Sequence, residues 1–348
     1  MRYKLFGRRT GLRVSELVLG AAMFGHRWGY GTEPDEPRRI FEAYAEAGGN
    51  FIDTANAYQF GESEEIVGGL LQGKRDDFVL ATKYTNGANP EASIAATGNS
   101  RKAMVASVEA SLKRLKTDHV DLLWAHLTDL VTPMEEIVRG FDDLARAGKI
   151  RYAGLSNFPA WRVGYAVAIA ELRGAVPIAA LQVEHSLVER TTEHELIPAA
   201  HGLGLAVGAW SPLGGGLLTG KYRQGEAGRK EGFGGNVFQA ENSQQRTAIV
   251  DAVIAMAKEI GVTPGEVAIA WVKAKGSFPI IGPRTLKQFE ENLRSAELTL
   301  MDEQIKRLDD VSAIAPTFPE RLVVGAWERN MFTGGKADQL DWPQLPVA

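Results

Sequence analysis

Three features of the chain predict its fold class. Eight apolar strand-like segments alternate with helical patterns, several of those strands lack a polar/apolar alternation, and no low-complexity linker interrupts the series. Strands apolar throughout are buried on both faces, as in a parallel sheet covered by helices, so the prediction is an α/β protein: one (β/α)8 TIM barrel domain over residues 1–348. The length of 348 residues suffices for one large barrel or two ordinary domains.

In chain order, Lys4-Leu5-Phe6-Gly7 and Leu12-Arg13-Val14 read as an N-terminal β-hairpin. Strands are expected at 17–19, 51–53, 79–82, 120–124, 152–155, 180–183, 206–210 and 279–281. Between them, the helical pattern 34–47 ends in Gly48-Gly49, Ser100 stands as N-cap of 102–115, and 133–147 stops at Gly148. Ser243 caps a helix running to Ile260 and ending at Gly261, and Thr263-Pro264 opens the next. A doubly wound sheet is the runner-up, but the turn after the first strand, Gly20-Ala21-Ala22-Met23-Phe24-Gly25, lacks the spacing of a dinucleotide-binding glycine motif. Two stretches break the alternation. Residues 223–242, with Gly225, Gly228, Gly232, Gly234 and Gly235, read as a lid or a disordered excursion. From Ala313 onward Pro316, Pro319, Trp327, Phe332, Trp342 and Pro343 suggest an irregular C-terminal tail packing by its aromatics over the substrate mouth.

Composition narrows the function. A net charge of -4 gives no basic footprint, so no nucleic-acid partner is expected. Zero Cys removes disulfides, thiolate catalysis and Cys-based metal sites, and fits a cytoplasmic protein. No apolar run approaches the ~20 residues that span a bilayer, and Leu17-Val18-Leu19, preceded by Glu16, is no signal peptide.

The chemistry gathers at strand exits. Asp53 closes Phe51-Ile52-Asp53-Thr54, Tyr58 follows in the next turn, Lys83 ends one strand and His126 another. A free phenol, with a pKa of about 10, is a poor proton donor near neutrality. A lysine ammonium beside it favours phenolate, and an aspartate beside the lysine keeps the ammonium charged. A histidine facing the same carbonyl oxygen orients it and stabilises the developing alkoxide. Tyr58 is thus the candidate general acid, Lys83 and Asp53 its tuners and His126 the orienter, with no metal. Singly, the Tyr reads as a packed surface aromatic, the His as a satisfied core residue and the Lys as a salt-bridge partner; the convergence of all four reverses that reading.

With these residues in hand, the chain resembles the aldo-keto reductase family. The resemblance rests on Gly49-Asn50-Phe51-Ile52-Asp53-Thr54-Ala55-Asn56-Ala57-Tyr58, Gly61-Glu62-Ser63-Glu64 and Ala81-Thr82-Lys83. It continues through Asp121-Leu122-Leu123-Trp124-Ala125-His126, Gly148-Lys149-Ile150-Arg151-Tyr152-Ala153-Gly154-Leu155-Ser156-Asn157-Phe158 and Trp210-Ser211-Pro212-Leu213. Gly220-Lys221-Tyr222 and Ile280-Ile281-Gly282-Pro283-Arg284 complete it, within a branch similar to bacterial oxidoreductases and potassium-channel β-subunits. The resemblance implies NADPH-dependent reduction of a small-molecule carbonyl, with NADPH/NADP+ extended across the barrel mouth. On matching positions, Ser156, Asn157 and Gln182 face the carboxamide, and Trp210 stacks on the nicotinamide where many relatives have Tyr. Ser211, Leu213, Gly216 and Lys221 wrap the pyrophosphate. Gly282, Arg284, Thr285, Gln288 and Asn292 lie where a helix begins; a guanidinium there suits a 2′-phosphate and so NADPH over NADH. Phe24, Trp28, Tyr84, Leu127 and Trp327 are the candidate lining of an apolar substrate mouth for aromatic or terpenoid-like carbonyls.

Two motifs are decoys. The stretch from Gly215 to Gly220-Lys221 has the spacing of a phosphate loop, but Tyr222 stands where a Mg²⁺-binding hydroxyl belongs. His194-Glu195 opens a zinc-protease pattern that Pro198 breaks. The alternative of another class is a cofactor-binding regulatory or assembly subunit with incidental reductase activity. A Schiff-base enzyme using Lys83 is disfavoured, because Asp53 opposes the neutral amine that imine formation needs. Homo-oligomerisation is compatible with either reading.

Overall fold

The computed structural model describes residues 1–225, 239–323 and 325–342. Part of the 223–242 excursion, with Gly228, Gly232, Gly234 and Gly235, and Pro343 in the tail lie outside the described residues.

Strands β1 (Tyr3–Leu5) and β2 (Arg13–Ser15) form an antiparallel hairpin in the register Tyr3↔Ser15. The others close a parallel barrel: β3 (Val18–Gly20), β4 (Phe51–Asp53), β5 (Val79–Tyr84), β6 (Val120–Ala125), β7 (Ile150–Ser156), β8 (Ile178–Glu184), β9 (Ala206–Trp210) and β10 (Phe278–Ile281), with β10 pairing to both β9 and β3. All eight expected barrel strands are present. Most extend beyond the residues whose apolar character flagged them, because a strand's polar ends still pair in the ladder. The first shifts by one residue: the Leu17 carbonyl accepts from Tyr44 Oη and Ser15 Oγ, each at 2.9 Å, so pairing begins at Val18.

Helix starts follow capping chemistry. Ser100 Oγ accepts from the Ala103 amide and opens the helix Arg101–Leu115; Ser243 does the same for Gln244–Ile260. Thr263 and Glu266 form a reciprocal capping box ahead of Pro264–Ala274. The tail is less irregular than expected, carrying the short helices Glu320–Val323 and Ala326–Phe332. It meets the barrel through His194 Nδ1 and Glu320 Oε2, 2.8 Å apart.

The hairpin decides which end of the barrel stays open. Phe6 is buried between Phe51 and Phe278, at the N-terminal ends of β4 and β10, with ring centroids 5.2 and 5.3 Å away. Arg9 Nε donates to the Leu203 carbonyl at 2.6 Å just before β9, fixing the plug. Inside the barrel, Val18, Val79, Ala81, Leu122, Ala180 and Trp124 fill the interior above it. A second apolar layer lies between barrel and helices and includes Phe24, Ile40, Phe41, Tyr84 and Phe141. The C-terminal end is thus left for chemistry, as in barrels generally.

Packing here is tight enough to test. A β-carbon on Gly154 would stand 2.4 Å from Cε3 of Trp124, whose strand β6 neighbours β7. Gly154→Ala is expected to destabilise the fold by about 1–3 kcal/mol in urea denaturation, because a close-packed interior has no slack to absorb the methyl group; an unchanged midpoint would contradict this packing.

Candidate active site

Asp53 is the last residue of β4, and Lys83 stands one residue before the end of β5, opposite Trp124 in the register. Lys83 Nζ is fully buried; it donates to Asp53 Oδ2 and, at 2.8 Å, to the Thr54 carbonyl. Asp53 Oδ1 accepts from Trp124 Nε1 and from Gln182 Nε2, both at 3.0 Å. Burial opposes charge on Lys83, but Asp53 and then Tyr58 outweigh it and raise its pKa above the ordinary lysine value, so the ammonium persists.

Tyr58 opens a one-turn 3₁₀ segment, Tyr58–Gly61, in which Gln59 and Phe60 hold left-handed backbone at φ 51° and 52°. Its ring lies 4.7 Å from Lys83 Nζ and edge-on to His126, centroids 5.7 Å apart. Two consecutive non-glycine residues in this region are strained, and the fully buried Gln59 side chain holds them: Oε1 accepts from the Trp28 amide and Nε2 donates to the Tyr30 carbonyl, each at 2.9 Å. Trp28 packs edge-on against Tyr58 at 6.1 Å.

His126 directly follows β6. Its amide donates to the Tyr84 carbonyl at 3.1 Å, its carbonyl accepts from Asn157 Nδ2 at 3.0 Å, and Nδ1 faces Asn86 Nδ2 at 3.3 Å. Burial, and then the Lys83 charge, hold the imidazole pKa down at about 3. The ring is therefore neutral across the physiological range.

These groups border a cleft of about 820 Å³ at the C-terminal end of the barrel. Asp53, Tyr58 and His126 line its inner part, with Lys83 behind them. Ser156, Asn157, Gln182 and Trp210 continue the wall, followed by Ser211, Leu213, Gly216 and Lys221, and then by Gly282, Arg284, Thr285, Gln288 and Asn292. Trp210 Nε1 donates to Asn157 Oδ1 at 3.2 Å. Gly214, Gly215 and Gly216 all have positive φ; a β-carbon on Gly216 would stand 2.9 Å from Lys221 Cε, so the bare backbone lets that lysine side chain cross it. Thr285 Oγ1 caps the helix Leu286–Leu293, and the Arg284 guanidinium covers the Tyr30 ring at 4.3 Å.

Of the expected substrate lining, Trp28 and Leu127 border the cleft; the other residues do not. Phe24 is 1% exposed and belongs to the layer under the helices. Tyr84, also buried, packs edge-on against Phe141, and burial pushes its phenol pKa up. Trp327 is 69% exposed on the tail. Adjacency in sequence to a strand exit does not say which side of the barrel wall a side chain takes, and here Phe24 and Tyr84 took the drier outer side. Conversely, Met23, Tyr30, Thr263 and Lys287 line the cleft without having been singled out. Trp124 lay within a quoted motif, yet its indole bond to Asp53 has no sequence signature. The same holds for Glu64, buried and bonded to Thr82 and to Arg114 Nε, the latter at 2.7 Å.

Residues 16–313 match the model of the aldo/keto reductase family. The chain is 38% identical to the uncharacterized oxidoreductase YrpG of Bacillus subtilis, covering 89% of this chain and 96% of that protein. It is 33% identical to the putative aryl-alcohol dehydrogenase AAD14 of Saccharomyces cerevisiae, over 92% of this chain and 89% of that one. It is also 33% identical to the aryl-alcohol dehydrogenase [NADP(+)] of Phanerodontia chrysosporium, over 98% and 94%.

The lowered His126 pKa carries a pH prediction. Because the depressed value keeps the imidazole neutral from well below pH 5 upward, His126 adds no limb to the kcat/KM profile between about pH 5 and 8. His126→Gln is expected to lower kcat without changing the profile's shape in that window; an inflection near pH 6.5 that disappears in the variant would contradict it.

Proposed function

The chain belongs to the aldo/keto reductase family, and from that premise we propose that it reduces aromatic aldehydes and ketones to alcohols using NADPH, with Tyr58 as proton donor. It is an oxidoreductase of a family that acts on small carbonyl substrates. The observation that carries the finer reading is the buried Lys83–Asp53 pair set against Tyr58 at the inner end of the cleft.

The residues present fit a dinucleotide. The cleft runs from Asn157 and Trp210 past the Gly214–Gly216 turn to Arg284, offering amides and an indole at one end and guanidinium and ammonium groups at the other. When bound, reduced nicotinamide supplies the hydride. Ser156, Asn157 and Gln182 would hold its carboxamide, Trp210 its ring face, and Ser211, Leu213, Gly216 and Lys221 the pyrophosphate. Gly282, Arg284, Thr285, Gln288 and Asn292 would hold the adenosine end, and the planar guanidinium stacked on Tyr30 is preset for a phosphate at the 2′ position.

The chain's own part in the reaction is proton supply and orientation. Lys83, kept charged by Asp53, favours the phenolate that Tyr58 becomes on giving up its proton. Neutral His126 donates a hydrogen bond to the carbonyl oxygen and stabilises negative charge as it develops there. Trp28, Leu127 and Met23 supply the apolar rim, which supports a flat, aromatic substrate, as do the names of the aryl-alcohol dehydrogenase relatives.

Two measurements test this. Consumption of NADPH with 4-nitrobenzaldehyde is expected in the wild type and should fall by about 10²–10⁴-fold in kcat in Tyr58→Phe, with cofactor binding retained by fluorescence quenching. Tight cofactor binding without turnover in the wild type would instead favour a regulatory subunit. Arg284→Ala should raise KM for NADPH about tenfold or more while hardly altering KM for NADH; equal effects on both would remove the 2′-phosphate role.

A further inference from the structure

We infer that Asn86 is a positioning residue for His126: its side-chain amide fixes the imidazole as the Nε2–H tautomer, so that the nitrogen carrying the proton is the one left for the carbonyl. The inference rests on the reading of His126 as the carbonyl's hydrogen-bond partner, but its structural half stands on separate contacts.

A neutral imidazole has one N–H and one lone pair, and whichever partner one nitrogen has decides what the other can do. At His126 the partner of Nδ1 is Asn86 Nδ2, 3.3 Å away. An amide nitrogen donates and cannot accept, so Nδ1 must present its lone pair and Nε2 carries the hydrogen. The opposite tautomer would set two N–H groups against each other and leave Nε2 a bare acceptor, repelled by a carbonyl oxygen. Burial and the neighbouring Lys83 ammonium already exclude the doubly protonated ring, so tautomer choice is the remaining freedom. Lys83 and Tyr58 are the titratable groups shown facing the ring.

Asn86 is itself held. Its backbone carbonyl accepts from Asn56 Nδ2 at 2.7 Å, and that same Asn56 amide group donates to Ser107 Oγ at 3.0 Å. The Asn56 backbone amide bonds the Lys83 carbonyl at 3.1 Å, and Asn56 stands two residues before Tyr58. On the other side, Thr85 takes the uncommon φ of 107°, with Oγ1 accepting from Asn99 Nδ2 at 2.9 Å and from the His126 amide at 3.3 Å. A β-branched residue at positive φ is costly, and the Asn99 and His126 bonds hold it there. The segment after β5 is thus locked where it delivers the Asn86 amide to Nδ1, while Asn56 ties that segment to the turn carrying Tyr58. Proton donor and carbonyl orienter are built as one unit.

The test is two-bond ¹H–¹⁵N correlation of the full chain with labelled histidine, His126 being assigned by its loss in His126→Gln. The wild type should show a protonated Nε2 and an unprotonated Nδ1. In Asn86→Asp, whose carboxylate accepts only, the proton should move to Nδ1 or the ring should become an imidazolium. In that variant kcat with 4-nitrobenzaldehyde should fall about 10²-fold while KM for NADPH is unchanged. Asn86→Ala, should the aspartate variant fail to fold, should give a mixture of tautomers and an intermediate loss. A wild-type ring protonated at Nδ1, or a His126 pattern unchanged in both variants, overturns the inference. Absence of any wild-type turnover would sink the reductase reading and leave the tautomer result to stand or fall by itself.

Discussion

One buried charge organises this protein. The Lys83 ammonium sits fully enclosed at the mouth-side end of the barrel, where an isolated charge could not survive, and Asp53 is the partner that keeps it there. Removing one member of such a pair leaves the other buried and unpaired, typically a loss of about 3–5 kcal/mol, whereas apolar replacement of both is often neutral or stabilising. Stability alone therefore does not explain it. Both members of the pair have further partners: the Thr54 carbonyl for the ammonium, and Trp124 Nε1 and Gln182 Nε2 for the second carboxylate oxygen. Four strands, β4, β5, β6 and β8, converge on one carboxylate, which ties the position of Tyr58 and His126 to the barrel register itself.

Around that rigid centre the loops carry strain. Gln59, Phe60, Thr85, Asn157 and Ser211 all hold positive φ without being glycine, and all lie just beyond C-terminal strand ends. Such conformations cost of order 1–3 kcal/mol each and persist only where surrounding contacts dictate them. Here those contacts include the Gln59 side chain against residues 28 and 30 and the Asn99–Thr85 bond. The opposite, N-terminal end, plugged by Phe6, shows no such cluster among the described residues. The division of labour follows the fold: the closed end supplies packing and the open end supplies geometry.

Much of this was legible in residues 51–58, 79–83 and 120–126, because a parallel strand buried on both faces must be apolar, so a terminal Asp, Lys or His is conspicuous where it occurs. Helix starts at Ser100, Ser243 and Thr263 were legible for a different reason: an orphan amide needs a side-chain oxygen within three residues, which is a local requirement. Three of the expected lining residues stand outside the cleft. Phe24 and Tyr84 stand next to strand exits but turn outward under the helices, and Trp327 stays exposed on the tail. Apolar character alone does not distinguish a cleft wall from a core.

The sequence by itself determined the strands, the caps, the chemical types at the strand exits and their order along the chain, since each depends on neighbours a few residues away. Only the tertiary structure decided that Trp124 and Gln182 hold Asp53, that Gln59 braces the segment bearing Trp28 and Tyr30, and that Tyr30 lies under Arg284. It alone decided, too, that the amide of Asn86 meets Nδ1 of His126. Those contacts join residues from 29 to 254 positions apart, and no local pattern specifies them. Closing eight strands into a barrel brings these residues together, and the burial that comes with it strengthens the Trp124 and Gln182 bonds to Asp53.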